Sequence, residues 1–143
     1  FKLVKLFRDS DPLVNETAPF ITESILDKKA TKVAIIQFPN NSIIPDNDAK
    51  NVIEEIIKSY SSKTIKLVGH ASKLGGSGVS GKRKNMEISI ARAETIKNML
   101  INIGFSAEKI YTYGKGDIEP LKNEAEKYGE AVNRRVEVFF ISE

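Results

Sequence analysis

A glycine-rich segment is the first place where this sequence could do chemistry. Residues 76–82 read GSGVSGK, which matches the phosphate-binding pattern G-x-x-x-x-G-K as far as the lysine. The next residue is Arg83, where such loops carry the serine or threonine that binds Mg²⁺. A phosphate loop also runs directly into a helix whose amide groups hold the phosphates, whereas RKNMEIS (83–89) precedes the apolar helical pattern here. We therefore interpret residues 73–84 as a solvated loop and do not predict nucleotide hydrolysis.

His70 and Ser72 are the next candidates, because a serine hydrolase needs only one histidine. The nucleophile of such enzymes normally sits in a G-x-S-x-G turn, and the sequence has no such turn around Ser72. We expect His70 to bond to the backbone or to line a cleft. One histidine and no cysteine exclude a metal site built from several histidines or from thiolates. The sequence thus predicts no enzyme, no metal site and no cofactor.

Arg92 occupies the most informative position among the charged residues. It lies four residues after Ile88 and four before Ile96, so it projects from the apolar stripe of a predicted helix or from the edge of that stripe. A guanidinium there must find an anion or reach water along the helix edge. The helical pattern starts close to Arg92, where free amides and the helix dipole would also favour an anion. We therefore predict that Arg92 holds a carboxylate through two parallel hydrogen bonds.

Alternating strands and helices must position these residues. Apolar, β-branched runs predict strands at 31–38, 64–70, 109–114 and 134–142. Apolar positions three and four residues apart predict two helices, one that follows Pro45 and Asp46 and a second that stops at Gly104. A short third helix is predicted within 116–131. This order predicts an α/β (α+β) two-layer sandwich, with helices packed on one mixed four-stranded sheet.

The expected topology also predicts where a ligand would bind. Strands joined by a helix should cross over right-handedly and pair in parallel, whereas the last strand could be antiparallel. Ligands of open α/β sheets bind beyond the carboxyl ends of the strands. Ser72, Arg92 and the glycine-rich loop should therefore border one cleft.

Composition narrows the class of protein. The 143 residues suit one domain, and 41% hydrophobic with 29% charged residues is ordinary for a soluble globular protein. The 22 basic and 19 acidic residues are mixed along the chain, so we do not predict nucleic-acid binding. No apolar run reaches the roughly 18 residues that span a bilayer, and any membrane attachment would need an anchor outside this chain. Residues 1–30, broken by Pro12 and Pro19, are predicted to be an arm or linker remnant beside a domain at 31–143.

Four separated blocks resemble the OmpA-like peptidoglycan-binding domains. The family reads roughly G-H-T-D, N-x-x-L-S-x-x-R-A, Y-G-x-x-x-P and N-R-R-V. The blocks here occur in the same order, at Gly69 to Ser72, Asn85 to Ala93, Tyr113 to Pro120 and Asn133 to Val136. The resemblance covers residues 31–143 and implies a noncatalytic βαβαβ-(α)-β domain.

The resemblance also implies a ligand. In this family the arginine of R-A takes a carboxylate of meso-diaminopimelate in the peptide stem, the aspartate of G-H-T-D takes its ammonium, and backbone groups around L-S complete the pocket. Arg92 would take the carboxylate role, and Ile88 and Ser89 the wall and backbone role. Asn85 would order the junction of loop and helix, and residues 133–134 would support the rim. The expected ligand-binding residues are His70, Ser72, Asn85, Ile88, Ser89, Arg92, Ala93, Asn133 and Arg134.

One departure leaves two functions open. Ser72 stands at the position of the family's aspartate, and a neutral hydrogen bond is worth about 0.5–1.5 kcal/mol where a charge-assisted one is worth about 1.5–3. Diaminopimelate should be held more weakly, or another ligand should replace it. The alternatives are an anionic or amidated stem, or sulfate-like anions attracted by Lys73, Lys82, Arg83 and Lys84. The first function is binding of peptidoglycan that anchors an envelope protein in a Gram-negative periplasm, associated with the outer membrane. The second is a periplasmic interaction or assembly module that has lost wall binding, and a homodimer is also left open.

Overall fold

The computed structural model of the protein describes residues 3–4, 21–22, 29–73, 78–122 and 129–142. A 3₁₀ turn at Ala107–Lys109 precedes β5. The strands and helices, in chain order, are β1 (Leu3–Val4), β2 (Ile21–Thr22), β3 (Ala30–Gln37), α1 (Ala49–Tyr60), β4 (Thr64–His70), α2 (Gly78–Asn102), β5 (Ile110–Gly114), α3 (Gly129–Asn133) and β6 (Arg135–Ile141).

Four of these strands form one mixed sheet in the order β3-β6-β4-β5. β4 and β5 pair in parallel, and β6 runs antiparallel to both β3 and β4. The predicted fold class and the antiparallel last strand are confirmed. The expected direct pairing of β3 with β4 is wrong, because β6 lies between them. Val136 and Val138 of β6 are fully buried, as suits a strand with neighbours on both edges.

The main core lies between the sheet and helices α1 and α2. Ile65 and Leu67 of β4 are fully buried in it, and Val68 of the same strand belongs to a smaller cluster with Tyr113 and Ile141. Because successive residues of a strand point to opposite faces, the even-numbered residues of β4, His70 included, lie on the face opposite the helices. This alternation decides which side chains can reach a site beside α2.

The start of α2 differs from the prediction. Residues 78–84, predicted to be loop, form the first turns of this helix. Glycine and serine are weak helix formers, but Lys82 and Asn85 both donate to Asp117, at 2.7 and 2.8 Å, and tie these turns to the segment after β5. Arg92 therefore lies about 21 Å along α2 at 1.5 Å per residue, and the expected help from the helix N-terminus is wrong.

Other boundaries also shift. The predicted stop of the second helix is confirmed, because Gly104 adopts a φ of +113° just after α2 ends. Helix α1 begins at Ala49, three residues after Asp46, whose amide donates to the carbonyl of Gln37 at 3.0 Å. A short third helix was predicted within 116–131, and α3 (Gly129–Asn133) overlaps that segment only at residues 129–131.

Within the predicted arm at 1–30, the structure describes β1 and β2, which pair with each other in an antiparallel manner, and residues 29–30, of which Ala30 already belongs to β3. The rest of residues 1–28 lies outside the described ranges. The boundary between an arm and a domain at residue 31 stays a prediction.

Candidate functional site

A cleft of about 370 Å³ opens beside α2, where β3 and β4 end. Lys84, Ile88 and Arg92 recur every four residues along α2 and so line the cleft from one helix face. The residues that line the cleft are Asn40, Asn41, Ala71, Ser72, Lys84, Asn85, Ile88, Arg92 and Arg134. Five of the residues expected from the sequence, Ser72, Asn85, Ile88, Arg92 and Arg134, thus meet at one place.

Arg92 forms the floor of the cleft and is 1% exposed. Its Nε donates to the carbonyl of Ser42 at 2.9 Å, its Nη1 to that of His70 at 3.0 Å, and its Nη2 to that of Pro39 at 3.3 Å. The guanidinium also lies 5.3 Å from the ring centroid of Phe38. A guanidinium has five N–H groups, so one on each terminal nitrogen is left for a ligand. Arg92 therefore both joins the β3–α1 loop to the end of β4 and can bind an anion.

The charged side chains among the described residues that line the cleft are all positive. Burial, and then the nearby charge of Arg134, lower the pKa of Arg92 to about 10. Arg134 donates from Nε to the carbonyl of Phe38 at 3.1 Å. Within the described ranges, neither arginine is paired with a carboxylate, and no acidic side chain lines the cleft. Two guanidinium groups without a counter-charge make the site attractive to an anion.

Asp117 explains the position of Asn85 and was missed by the sequence reasoning. Its buried carboxylate accepts from Lys82 on one oxygen and from Asn85 on the other. Burial alone would raise the pKa of Asp117, but the hydrogen bonds from Lys82 and Asn85 lower it below the usual value. Asn85 thus orders the start of α2, as expected. The only sequence signal for Asp117 was its place in the block from Tyr113 to Pro120.

Ser89 and Ala93 are not among the residues that line the cleft, and their expected part in ligand binding stays a prediction. Both are fully buried where α2 meets β4. The hydroxyl of Ser89 donates to the carbonyl of Met86 at 2.7 Å and accepts from the amide of Gly116 at 2.9 Å. A Cβ atom at Gly69 would overlap the carbonyl oxygen of Ser89, so the glycine lets the two backbones touch. This contact places Arg92 at the height of the strand ends.

The side chain of His70 also points away from the cleft, to which it contributes only its carbonyl. Its Nε2 lies 2.8 Å from Glu137 Oε1, and the other oxygen of Glu137 accepts from Lys32 at 2.8 Å and Arg135 at 3.2 Å. Nδ1 has no hydrogen-bond partner among the described residues. Burial lowers the pKa of His70 despite the hydrogen bond to Glu137. A neutral imidazole in this position would carry its proton on Nε2 and donate it to the Glu137 carboxylate.

Asn133 supports the fold near the rim rather than the cleft itself. Its Oδ1 accepts from the amides of Leu121 and Lys122 at 2.7 and 3.0 Å, and its Nδ2 donates to the carbonyl of Lys122 at 2.7 Å. It thereby fixes the segment after β5 to the start of β6. Its neighbour Arg134 is the residue of this pair that lines the cleft.

Four lining residues were not among the expected ligand-binding residues: Asn40, Asn41, Ala71 and Lys84. Asn40 and Asn41 follow β3, and Asn41 has a φ of +55°, a left-handed conformation that asparagine adopts more readily than most residues. The letters PNN indicated a turn but not that it would face Arg92. Lys84 was assigned to a loop, and its place on the cleft depends on the longer helix α2.

The described ranges support neither a metal site nor a membrane-spanning helix. No group of three or more histidine, aspartate or glutamate side chains is arranged there to hold a metal ion. None of the described helices combines the length and apolar character that crossing a bilayer requires.

Comparison with known proteins places the chain in a family. The OmpA family matches residues 37–134, more than half of the chain. The probable lipoprotein YiaD of Escherichia coli is 27% identical over 113 residues, which cover 73% of this chain and 49% of YiaD. The peptidoglycan-binding protein ArfA of Mycobacterium tuberculosis is 29% identical over 106 residues, covering 72% of this chain and 31% of ArfA. The chain thus spans about half or less of these relatives.

A solved structure shows the same fold. The peptidoglycan-associated lipoprotein of Burkholderia pseudomallei superposes with a TM-score of 0.66 at 17% identity, covering 76% of this chain and 90% of that one. The matched residues 37–134 contain β4, α2 and β5 and every residue that lines the cleft. The chain belongs to the OmpA family.

Proposed function

We propose that this chain binds peptidoglycan without catalysis and thereby anchors an envelope protein to the cell wall, in the periplasm and associated with the outer membrane. A carboxylate of the peptide stem, that of diaminopimelate in the simplest case, occupies the cleft above Arg92. The names of two similar proteins support the choice of polymer, since ArfA is a peptidoglycan-binding protein and the Burkholderia structure is a peptidoglycan-associated lipoprotein.

One observation carries this proposal: Arg92 is a buried cation without an acidic partner in the described part of the chain. Burying a charge is costly unless it is paired and hydrogen-bonded. The three backbone carbonyls offset only part of that cost, because they carry partial charges. A ligand carboxylate that accepts the two remaining N–H groups would complete the pairing in the bidentate geometry that arginine favours.

The surrounding residues suit this ligand. Ile88 offers an apolar wall for an aliphatic side chain, and Arg134 adds a second positive charge. Ser72 is buried at the rim and supplies only a neutral hydroxyl. We therefore expect weaker binding of the ammonium of diaminopimelate than an aspartate at residue 72 would give.

Co-sedimentation with purified insoluble sacculi tests the proposal. Arg92→Gln should weaken binding at least tenfold, which corresponds to about 1.4 kcal/mol. Lys63→Gln is the matched control, because it removes the same charge from an exposed residue before β4, at the other end of the sheet. It should bind within about twofold of the wild type. A folded Arg92→Gln protein that keeps full binding would contradict the assignment of the cleft.

A second function remains a candidate for one specific reason. All three nitrogens of Arg92 already bond to the chain itself, which is also what a purely structural arginine would do. The cleft could then belong to a periplasmic interaction or assembly module that no longer binds the wall. A folded wild-type chain that fails to sediment with sacculi would select this function, and sedimentation equilibrium would then test for a homodimer.

A further inference from the structure

Among the residues that the structure describes, three cations and no carboxylate line the cleft. Lys84, Arg92 and Arg134 line it, and the other lining side chains are asparagine, serine, alanine and isoleucine. None of the three cations has an ion pair with an acidic side chain in the ranges that the structure describes. The nearby Lys82 differs, because its ammonium is 2.7 Å from Asp117. The positive charge is therefore concentrated on the side chains that face the cleft.

The three cations are too far apart for a single carboxylate to contact all of them. Lys84 and Arg92 are separated by eight residues of α2, about 12 Å along the helix axis. Arg134 comes from the start of β6 and is close enough to Arg92 to lower its pKa. One carboxylate can sit between the two guanidinium groups, and a second can lie along the cleft towards Lys84.

An ammonium group would make few favourable contacts with the residues that line this cleft. Asp117, a buried carboxylate that accepts from the start of α2, already has Lys82 and Asn85 as donors. The carbonyls of Pro39, Ser42 and His70 accept from Arg92. An ammonium would lose hydration and meet positive charge, and the described lining residues offer it only neutral oxygens as acceptors.

We propose that the cleft selects a ligand with two carboxylates and without a free ammonium, such as a stem residue whose amino group is already joined to another peptide by an amide bond. This inference rests on the proposed function and gives its ligand class. The domain would accordingly favour acylated stems over free ones.

Titration calorimetry of the full chain with three small ligands tests the inference. The ligands are diaminopimelate, its N,N′-diacetyl derivative, and pimelate, which has the same carbon chain without amino groups. Pimelate and the diacetyl derivative should each bind at least threefold more tightly than diaminopimelate. Hexanoate, with one carboxylate, should bind more weakly than pimelate.

Two variants locate the second carboxylate. Lys84→Gln should weaken pimelate binding at least threefold and leave hexanoate binding unchanged, because only the second carboxylate approaches Lys84. Lys63→Gln, with the same loss of charge far from the cleft, should change neither. An equal effect of both substitutions would reduce the role of Lys84 to general charge and would overturn the second subsite.

The outcomes separate this inference from the proposed function. Diaminopimelate binding as tightly as pimelate, or more tightly, would overturn the selectivity while sedimentation with sacculi left wall binding in place. Binding of sacculi without measurable binding of any small ligand at millimolar concentration would also overturn it. If the wild type binds neither sacculi nor small ligands, both proposals fail together.

Discussion

Arg92→Ala should destabilise the fold as well as the site, because Arg92 joins three segments. Its bond to the carbonyl of His70 is buried, its bond to Ser42 is partly buried, and its contact with Pro39 is long at 3.3 Å. Alanine leaves these carbonyls without a donor from residue 92. The loop between β3 and α1 then loses its tie to the end of β4.

The magnitude follows from these contacts. The buried bond from a charged donor contributes about 1.5–3 kcal/mol and the partly buried one about 1 kcal/mol. Loss of the contact with the Phe38 ring removes about 0.5–1 kcal/mol more. Relief from burying an unpaired cation offsets part of this, and water from the open cleft can reach the freed carbonyls of Pro39 and Ser42. We expect a net loss of about 3 kcal/mol, which a domain of ordinary stability survives.

Urea unfolding monitored by circular dichroism measures this loss. The matched control is Arg83→Ala, which removes an exposed arginine from the same helix and should change the free energy of unfolding by less than about 0.5 kcal/mol. If Arg92→Ala costs no more than Arg83→Ala, the three hydrogen bonds do not stabilise the loop, and the account of the cleft floor is wrong.

Further predictions concern ligand choice, pH, packing and catalysis. Ser72→Asp should bind diaminopimelate about five- to thirtyfold more tightly, because one charge-assisted bond contributes about 1–2 kcal/mol; unchanged affinity in calorimetry would speak against a pocket at residue 72. The free energy of unfolding should fall as pH drops below 6.5, because His70 has a lowered pKa in the folded state and the unfolded chain binds the proton first. A second decline should follow below about 4.5, because the pKa of Glu137 is strongly lowered in the folded state and the unfolded chain therefore binds the proton first. His70→Gln should remove the first decline only, and equal pH profiles in urea titrations would refute this. Gly69→Ala should cost at least about 3 kcal/mol, since the new Cβ overlaps the backbone of Ser89; near-wild-type stability would contradict that contact. Labelled peptidoglycan fragments incubated with the protein should release no soluble product, and any release would overturn the noncatalytic proposal.

The sequence alone determined the elements and the family. Strands and helices follow from apolar residues repeating every two or every three to four positions, a signal that needs only neighbouring residues. Gly104 was predicted to end α2 because its conformational freedom is local. Arg92 was singled out because its spacing from Ile88 and Ile96 placed a charge on an apolar stripe, and the structure buries it there. The four family blocks predicted the fold and the position of the cleft.

The tertiary structure decided what contacts between distant residues determine. β6 entered the sheet between β3 and β4, a pairing between segments about a hundred residues apart that no local pattern encodes. Helix α2 gained its first turns because Asp117, far along the chain, holds Lys82 and Asn85. That extension brought Lys84 onto the cleft. The position of Lys84 could not be predicted from the sequence, because the glycines and serines of this segment are weak helix formers and need tertiary bonds to offset their low propensity.

The roles of individual site residues were decided in the same way. His70 belonged to a matched block, yet the alternation of β4 sends its side chain to Glu137 on the opposite face. Ser89 and Ala93 were matched too, and they serve the contact of α2 with Gly69. A match to a sequence block indicates that a residue contributes to the domain, but it does not show whether the side chain or the backbone of that residue makes the contact. Only the folded chain, which sets the direction of each side chain and the carbonyls around Arg92, distinguishes a residue that faces the ligand from one that holds the cleft in place.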